Sequence, residues 1–170
     1  EFRRVLFRSE TWSAMADQLC ELAAEDEARG RMISAGDKYG RAATYLLTAE
    51  RLQAHGAPGR VALYQRFLDT FARGLALTGE RCERVEIPYE GTHLSALYVP
   101  ADPGTCTGPQ PLLVQVNGLD STKEMKYRVG LPRWLAQRGV ASLVVDQPGT
   151  GEALRLHGLT RSEEHTSELQ

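Results

Sequence analysis

Two short polar segments follow apolar runs in this 170-residue chain, and they are the best candidates for chemistry. Asn117-Gly118-Leu119 comes directly after PLLVQV, and Asp146 follows the run ASLVV. In an open α/β sheet, ligands bind beyond the carboxyl ends of the strands. Gly118 gives the backbone freedom to turn, so that the N–H of Leu119 can face inward and stabilise the oxyanion that develops in acyl transfer. An ordinary glycine turn between a strand and a helix explains the same residues equally well.

The glycines after Asp146 do not form a nucleotide site. Gly149 and Gly151 give G-x-G without a third glycine at the required place, and the chain has no G-x-x-x-x-G-K-[ST] motif. We interpret Asp146 as a brace that hydrogen-bonds the backbone of its own turn. The residues predicted to support the two turns are Asn117, Asp120, Asp146, Gly149 and Gly151.

Composition excludes several classes of partner. The 20 Lys and Arg residues face 22 Asp and Glu residues, and the net charge of −2 gives no case for nucleic acid binding. No apolar run reaches the roughly 18 residues of a membrane span, so no membrane partner is expected. Outside the last ten residues the histidines are His55, His93 and His157, which are scattered, and we expect neither a metal nor a cofactor. The three cysteines are far apart and odd in number, which favours reduced thiols and a cytoplasmic location.

The two ends of the chain are related to each other at the codon level. The reverse complement of codons for residues 1–9, EFRRVLFRS, encodes residues 161–169, RSEEHTSEL. Folding gives no reason for this relationship, whereas a translated sequencing-library adaptor does. We therefore expect residues 1–9 and 161–170 to be adaptor sequence that packs poorly. Residues 10–160 are then expected to be a piece of a longer protein.

Residues 10–80 have the apolar spacing of helices. We predict one helix capped by Ser13, a second from Asp37 to about His55, and a third that starts near Pro58. Their core positions are predicted to be Met15, Leu19, Leu22 and Ala23 in the first helix, Tyr39, Ala42, Ala43, Leu46 and Leu47 in the second, and Val61, Tyr64, Leu68, Phe71 and Leu75 in the third. Core packing is the favoured role of the aromatic residues, and a cavity-lining role for Tyr39 or Tyr45 is secondary.

After Cys82 the apolar period drops to two, which indicates strands. Two alternating runs on either side of Glu90-Gly91 predict an antiparallel hairpin. PLLVQVNG and VASLVVDQ are nearly continuous apolar runs, typical of buried strands in a parallel sheet. A helix between them, interrupted around Gly130 and Pro132, completes a right-handed βαβ unit.

Three segments, LLVQVNGLDSTKEM, GVASLVVDQPGTGEALRLHG and AATYLLTAERL, together resemble the α/β-hydrolase superfamily. Within it they are similar to the FrsA-like branch, which includes 2,6-dihydroxypseudooxynicotine hydrolase and fungal polyketide-shortening hydrolases. The resemblance implies an α/β fold in which residues 10–80 are a helical lid segment. Residues 81–160 would be the first half of the hydrolase sheet, truncated, in strand order 1-2-4-3. Asn117, Gly118 and Leu119 match the family's oxyanion turn, where many relatives carry His-Gly.

The resemblance also implies a catalytic triad that this chain does not contain. The fold places its nucleophile in G-x-S-x-G, followed along the chain by Asp or Glu and then His. No serine here lies in that motif, since Ser121 is in the oxyanion turn and Ser142 is in a strand. Chain order excludes Asp146 and His157 as triad members. The intact protein is expected to hydrolyse an ester, or a C–C bond next to a carbonyl, in a small molecule, and this fragment is expected to be inactive.

Two alternatives stay open at this point. The chain could come from a noncatalytic binding or regulatory protein of the same fold, or from a helical interaction module fused to an unrelated α/β domain. A serine elbow in the downstream sequence would support the hydrolase. Without a fifth strand, PLLVQVNG is expected to expose an apolar edge, and the fragment is expected to self-associate. Whether the intact enzyme is a homo-oligomer stays open.

Overall fold

The computed structural model describes residues 2–105, 107–118 and 120–161. The chain divides into two compact units, Glu1–Glu80 and Arg81–Gln170. The first unit is helical and the second holds a sheet with three short helices. Within the part of the chain described, no helix has the length and apolar character needed to cross a membrane.

The helical unit is built on its middle helix. Its three helices are α1 (Phe2–Ala28), α2 (Met32–Arg51) and α3 (Arg60–Thr78), and α2 packs against both of the others. The backbones of α2 and α3 approach closely at Gly36, where a Cβ would lie 2.6 Å from Thr78 Cγ2 and 2.9 Å from Gly74 O. The five apolar positions predicted for α2 are confirmed as core, and they are Tyr39, Ala42, Ala43, Leu46 and Leu47.

Two predicted helix starts are wrong. Helix α1 begins at Phe2, so Ser13 lies inside it and caps nothing, and α2 begins five residues before Asp37. Ser9 is buried and its hydroxyl donates to the Ala49 carbonyl oxygen at 2.8 Å, so poor packing is wrong for that residue. Residues 162–170 lie outside the described residues, and the adaptor origin of both ends stays a prediction.

The predicted apolar faces of α1 and α3 need correction. Val61, in the first turn of α3, is 58% exposed. Tyr64 and Phe71 are buried as predicted, and Phe67, which the predicted stripe omits, is 2% exposed. In α1, Ala23 is buried as predicted, whereas Met15 and Leu22 are exposed.

The second unit holds a four-stranded sheet in the order β1-β2-β4-β3, which confirms the predicted strand order. Its strands are β1 (Glu83–Tyr89), β2 (Thr92–Val99), β3 (Leu112–Val116) and β4 (Ala141–Val145). Strands β1 and β2 form the expected antiparallel hairpin, β2 also pairs antiparallel with β4, and β3 and β4 are parallel. The hairpin turns at Glu90 and Gly91, whose positive φ angles of 43° and 77° suit a tight two-residue turn.

Strand β3 is the exposed edge of this sheet. Among the described residues it pairs only with β4. The expectation of a buried strand is therefore wrong for this chain, whereas the expected apolar edge is present. The exposed side chains are Leu112, Leu113, Val114 and Val116. Self-association through this edge stays a prediction.

Three short helices complete the unit. They are α4 (Lys123–Val129), α5 (Leu131–Ala136) and α6 (Gly151–Arg155). The interruption predicted around Gly130 and Pro132 is confirmed, because Gly130 separates α4 from α5 with a φ of 99°. Helix α4 follows the turn after β3, and α6 follows the turn after β4. The turn after β3 therefore ends at the start of α4, and the turn after β4 ends at the start of α6.

The N-cap of α4 provides a direct test of how the end of the turn after β3 is held. The Thr122 side chain accepts a hydrogen bond from Met125 N. We expect Thr122→Ala to lower the free energy of unfolding by about 1 kcal/mol, because an N–H of the first helical turn loses its partner. Thr122→Ser keeps the hydroxyl and should recover most of the loss in urea unfolding. Equal losses in the two variants would show that the methyl group, and not the cap, matters.

Candidate oxyanion turn and its buried support

The two candidate turns lie side by side at one edge of the sheet. Val116 and Val145 are partners at the ends of the parallel strands β3 and β4, so the residues that follow them emerge together. Asn117 and Asp146 are both buried, and the Asn117 side-chain amide donates a hydrogen bond to Asp146 Oδ1. Asn117 and Asp146, two of the residues predicted to support the turns, are thus in direct contact.

Asp146 connects both turns to the helices that follow them. Its Oδ1 also accepts from the backbone N–H of Lys123 at 2.8 Å. Its Oδ2 accepts from Lys123 Nζ at 2.9 Å and from the backbone N–H of Glu152 at 3.0 Å. The carboxylate has no exposed surface and accepts four hydrogen bonds. It therefore holds the starts of α4 and α6 as well as the turn after β3.

The Lys123 ammonium is the centre of a buried charge cluster. Its Nζ lies 2.7 Å from Glu124 Oε1, 2.9 Å from Asp146 Oδ2 and 2.6 Å from Glu152 Oε2. Burial disfavours the charged ammonium, but the three carboxylates outweigh that cost and raise the pKa of Lys123 above its ordinary value. Lys123 is therefore charged, and it neutralises a group of carboxylates that would otherwise repel one another.

The pKa values of the two flanking glutamates shift in opposite directions. Burial raises the pKa of Glu124, and the nearby Lys123 offsets this only in part. Burial also acts to raise the pKa of Glu152, but Lys123 and then Arg84 outweigh it and lower that pKa to about 2. The Arg84 Nη2 atom lies 2.6 Å from Glu152 Oε1. Glu152 is thus the ionised partner of two cations, and Glu124 keeps a proton more readily than Glu152 does.

This cluster is the part of the site that sequence reasoning missed. Oxygens of Glu124, Asp146 and Glu152 all lie within 4.8 Å of one another, a grouping that could hold a cation. In this structure the cation between them is the Lys123 ammonium. The sequence offered one signal that went unused, namely the adjacent charges Lys123-Glu124 at the start of a helix that follows a buried strand.

Position 151 requires glycine because a side chain there would clash with Asp146. Gly151 has a φ of +44°, and a Cβ built on it would lie 2.1 Å from both Asp146 Cγ and Oδ2. Gly149 has a φ of +85°, and its N–H donates to the Leu159 carbonyl oxygen at 2.8 Å. These two glycines therefore serve the geometry of the turn after β4.

Gly118 differs from these glycines because the fold does not require it. Its φ lies outside the left-handed region, and a Cβ there would meet nothing within 4 Å. Gly118 and Asp120 are both exposed, and the Gly118 carbonyl accepts from Ser121 N at 3.0 Å. Leu119, predicted to supply the oxyanion N–H, lies outside the described residues. The turn after β3 thus has open space beside it and buried support beneath it.

The two tyrosines considered as cavity lining both make packing contacts within the helical unit. Tyr39 is 8% exposed, and the Arg73 guanidinium lies over its ring at 5.4 Å. The half-buried Tyr45 meets Trp12 edge to face, with ring centroids 5.0 Å apart. These contacts agree with the favoured interpretation of core packing.

We expect Glu152→Gln and Glu124→Gln to act differently on stability at pH 7. The Glu152 pKa of about 2 lies below the ordinary value of about 4.3, so its charge stabilises the fold above pH ~4.3. Glu152→Gln should therefore lower the free energy of unfolding by about 2–3 kcal/mol at pH 7, and the loss should shrink toward pH 2. The raised pKa of Glu124 means that its ionisation opposes folding as the pH rises, so Glu124→Gln should be neutral or stabilising. Urea unfolding across this pH range measures both, and equal losses would contradict the assignment.

Comparison with known proteins supports one family. No protein-family model matches the chain. It is 35% identical over 151 residues to hydrolase LUC6 of a Fusarium species, which covers 86% of this chain and 36% of that protein. It is 31% identical over 146 residues to alpha/beta hydrolase gkaG of Penicillium citrinum, covering 85% of this chain and 34% of that protein.

A solved structure shares the fold. The crystal structure of the 2,6-dihydroxy-pseudo-oxynicotine hydrolase matches with a TM-score of 0.68 and 24% identity, covering 93% of this chain and 43% of that one. This chain spans about a third of the length of the curated relatives it matches. With its helical unit and its 1-2-4-3 sheet, the chain has the α/β-hydrolase fold, and its sequence is similar to that of α/β hydrolases.

Proposed function

We propose that the full-length protein containing this chain is a serine hydrolase in which the turn after β3 forms part of the oxyanion site. The main-chain N–H groups of Gly118 and Leu119 are the donors that this chain contributes. A serine from outside residues 10–160 would attack the carbonyl carbon, and a histidine and an acid, also from outside, would transfer the protons. Asn117 and Asp146 would hold the donor turn in place.

The observation that carries this proposal is the contrast between the exposed turn and its buried support. Gly118 leaves open space that the fold does not need. Directly below it, Asp146 accepts four hydrogen bonds. Backbone amides stabilise an oxyanion best when they are fixed before the reaction and need no reorganisation during it. A turn that is anchored by the buried Asp146 carboxylate and has open space at Gly118 fits that requirement.

The substrate that we propose is a small molecule with a carbonyl group, cleaved at an ester bond or at a C–C bond next to the carbonyl. One structural relative is named for hydrolysis of 2,6-dihydroxy-pseudo-oxynicotine. The similarity to α/β hydrolases and that relative support the substrate class. The experiment below separates the two bond types.

We expect this 170-residue chain not to hydrolyse an activated ester above the buffer rate, because it holds no serine in a G-x-S-x-G elbow. The full-length protein should turn over either a p-nitrophenyl ester or an aryl 1,3-diketone, and the preferred substrate identifies the bond that is cleaved. Ser121→Ala provides the control in both proteins. Turnover by the short chain that disappears in Ser121→Ala would place the nucleophile in this turn and contradict the proposal. A full-length protein that binds such ligands without turnover would indicate a binding or regulatory role.

A further inference from the structure

We propose that Gln147 is a positioning residue for the oxyanion turn, because its side-chain amide sets the orientation of the peptide between Asn117 and Gly118. This inference rests on the proposed function, since it concerns the same turn. Gln147 is the residue after Asp146 and belongs to the turn after β4. A residue of the turn after β4 would therefore orient a peptide group in the turn after β3.

The contact is a single hydrogen bond across the strand ends. Gln147 Nε2 donates to the Asn117 carbonyl oxygen at 2.8 Å. That oxygen and the Gly118 N–H belong to one peptide group, and the described chain contains no cis peptide bond. In a planar trans peptide the C=O and N–H point in opposite directions. Fixing the Asn117 oxygen therefore fixes the direction of the Gly118 N–H.

Both ends of this hydrogen bond are anchored. The Gln147 carbonyl accepts from Thr150 Oγ1 at 2.9 Å and from Thr150 N at 3.0 Å, so the backbone of Gln147 is held by its own turn. On the other side, the Asn117 side chain is bonded to the buried Asp146 carboxylate. The Gln147 contact therefore holds this peptide in one orientation. Without that contact, its carbonyl loses the side-chain donor that orients it.

Gln147 can be altered more safely than the charge cluster. It is half-buried, and its loss leaves no buried charge without a partner. Replacing Lys123 or Asp146 would instead disturb folding along with the turn. Gln147 is therefore the residue at which an effect on the reaction can be separated from an effect on the fold.

The test uses the full-length protein with three variants. Gln147→Ala removes the donor, and Gln147→Glu keeps the shape but cannot donate while its new carboxyl group is ionised. We expect kcat to fall about 10- to 100-fold in both, in line with the cost of small misplacements in an active site, with KM changed less than about twofold. Gln137→Ala, an exposed glutamine at the end of α5, is the matched control and should retain the wild-type kcat.

The pH profile supplies a readout that a purely structural role would not move. Once protonated, the carboxyl group introduced by Gln147→Glu can again donate to the Asn117 oxygen. The activity of this variant relative to wild type should therefore recover as the pH falls toward about 4. The Gly118 amide resonance should shift in both Gln147 variants and not in Gln137→Ala, which verifies that the bond is lost.

Two negative results have different meanings. If the wild-type protein is active and both Gln147 variants keep its kcat although the Gly118 resonance moves, the positioning role is wrong and the proposed function stands. If the wild-type protein has no turnover of any carbonyl substrate, the proposed function fails and the positioning role fails with it.

Discussion

Lys123→Met should lower the free energy of unfolding of the sheet unit by about 3–5 kcal/mol at pH 7, the usual cost of removing one partner from a buried ion pair. Methionine has nearly the length of lysine, so packing is largely kept while the charge is lost. Three carboxylates then remain together in a buried site without their shared cation. We expect the variant to unfold at much lower urea concentration than the wild type.

Lys126→Met on the same helix is the matched control. Lys126 has no place in the buried cluster, and its substitution should change the free energy of unfolding by less than about 0.5 kcal/mol. Urea unfolding of both variants, at concentrations where ultracentrifugation shows no self-association, decides the comparison. Similar small losses would mean that the Lys123 ammonium is not needed to balance Glu124, Asp146 and Glu152.

Gly151→Ala should cost about 2–5 kcal/mol through two additive effects. A non-glycine residue at positive φ costs about 1–2 kcal/mol. The added methyl group would also lie 2.1 Å from the Asp146 carboxylate, which its four donors hold in place, and such overpacking costs about 1–3 kcal/mol. We therefore expect the variant to loosen both turns, since Asp146 cannot move without releasing Lys123.

Gly158→Ala separates these two effects. Gly158 has a φ of +65°, and a Cβ there would meet nothing within 4 Å. This control should show only the cost of the backbone conformation, about 1–2 kcal/mol. If Gly151→Ala and Gly158→Ala lose the same stability in urea unfolding, the close contact between residue 151 and Asp146 is not what requires the glycine.

Much of the sheet unit was predictable because its signals are local. Alternation on either side of Glu90-Gly91 predicted the hairpin, and Gly130 predicted the break between α4 and α5. The order of the strands came from the resemblance to α/β hydrolases, because apolar pattern alone does not say which strands pair. Strand β3 is exposed because, among the described strands, it has a neighbour on one side only. The apolar run PLLVQV does not show how many neighbours the strand has.

The errors in the helical unit have a common cause. Helix α2 meets its neighbours through small residues such as Gly36, which give a weak apolar signal, so its start was placed too late. The large apolar residues Met15 and Val61 gave a strong signal but are exposed. Apolar spacing therefore identified the helices but did not locate all of their buried faces.

The support beneath the candidate site was not predictable from spacing. Asp146 contacts Asn117, 29 residues earlier, and Lys123, 23 residues earlier. Such contacts become visible only once β3 and β4 are known to be parallel neighbours. The sequence placed the two turns at one edge, but it gave no reason to bring Glu124 and Glu152 to the same ammonium.

Active-site labelling of the full-length protein tests whether this chain supplies the oxyanion turn of a serine hydrolase, as we propose. A fluorophosphonate probe should modify one serine, located by mass spectrometry outside residues 10–160, and Gly118→Ala should slow the labelling while leaving the fold intact. The open space at Gly118 makes this variant safe for folding. Absence of labelling in a folded full-length protein, or labelling at Ser121, would contradict the account.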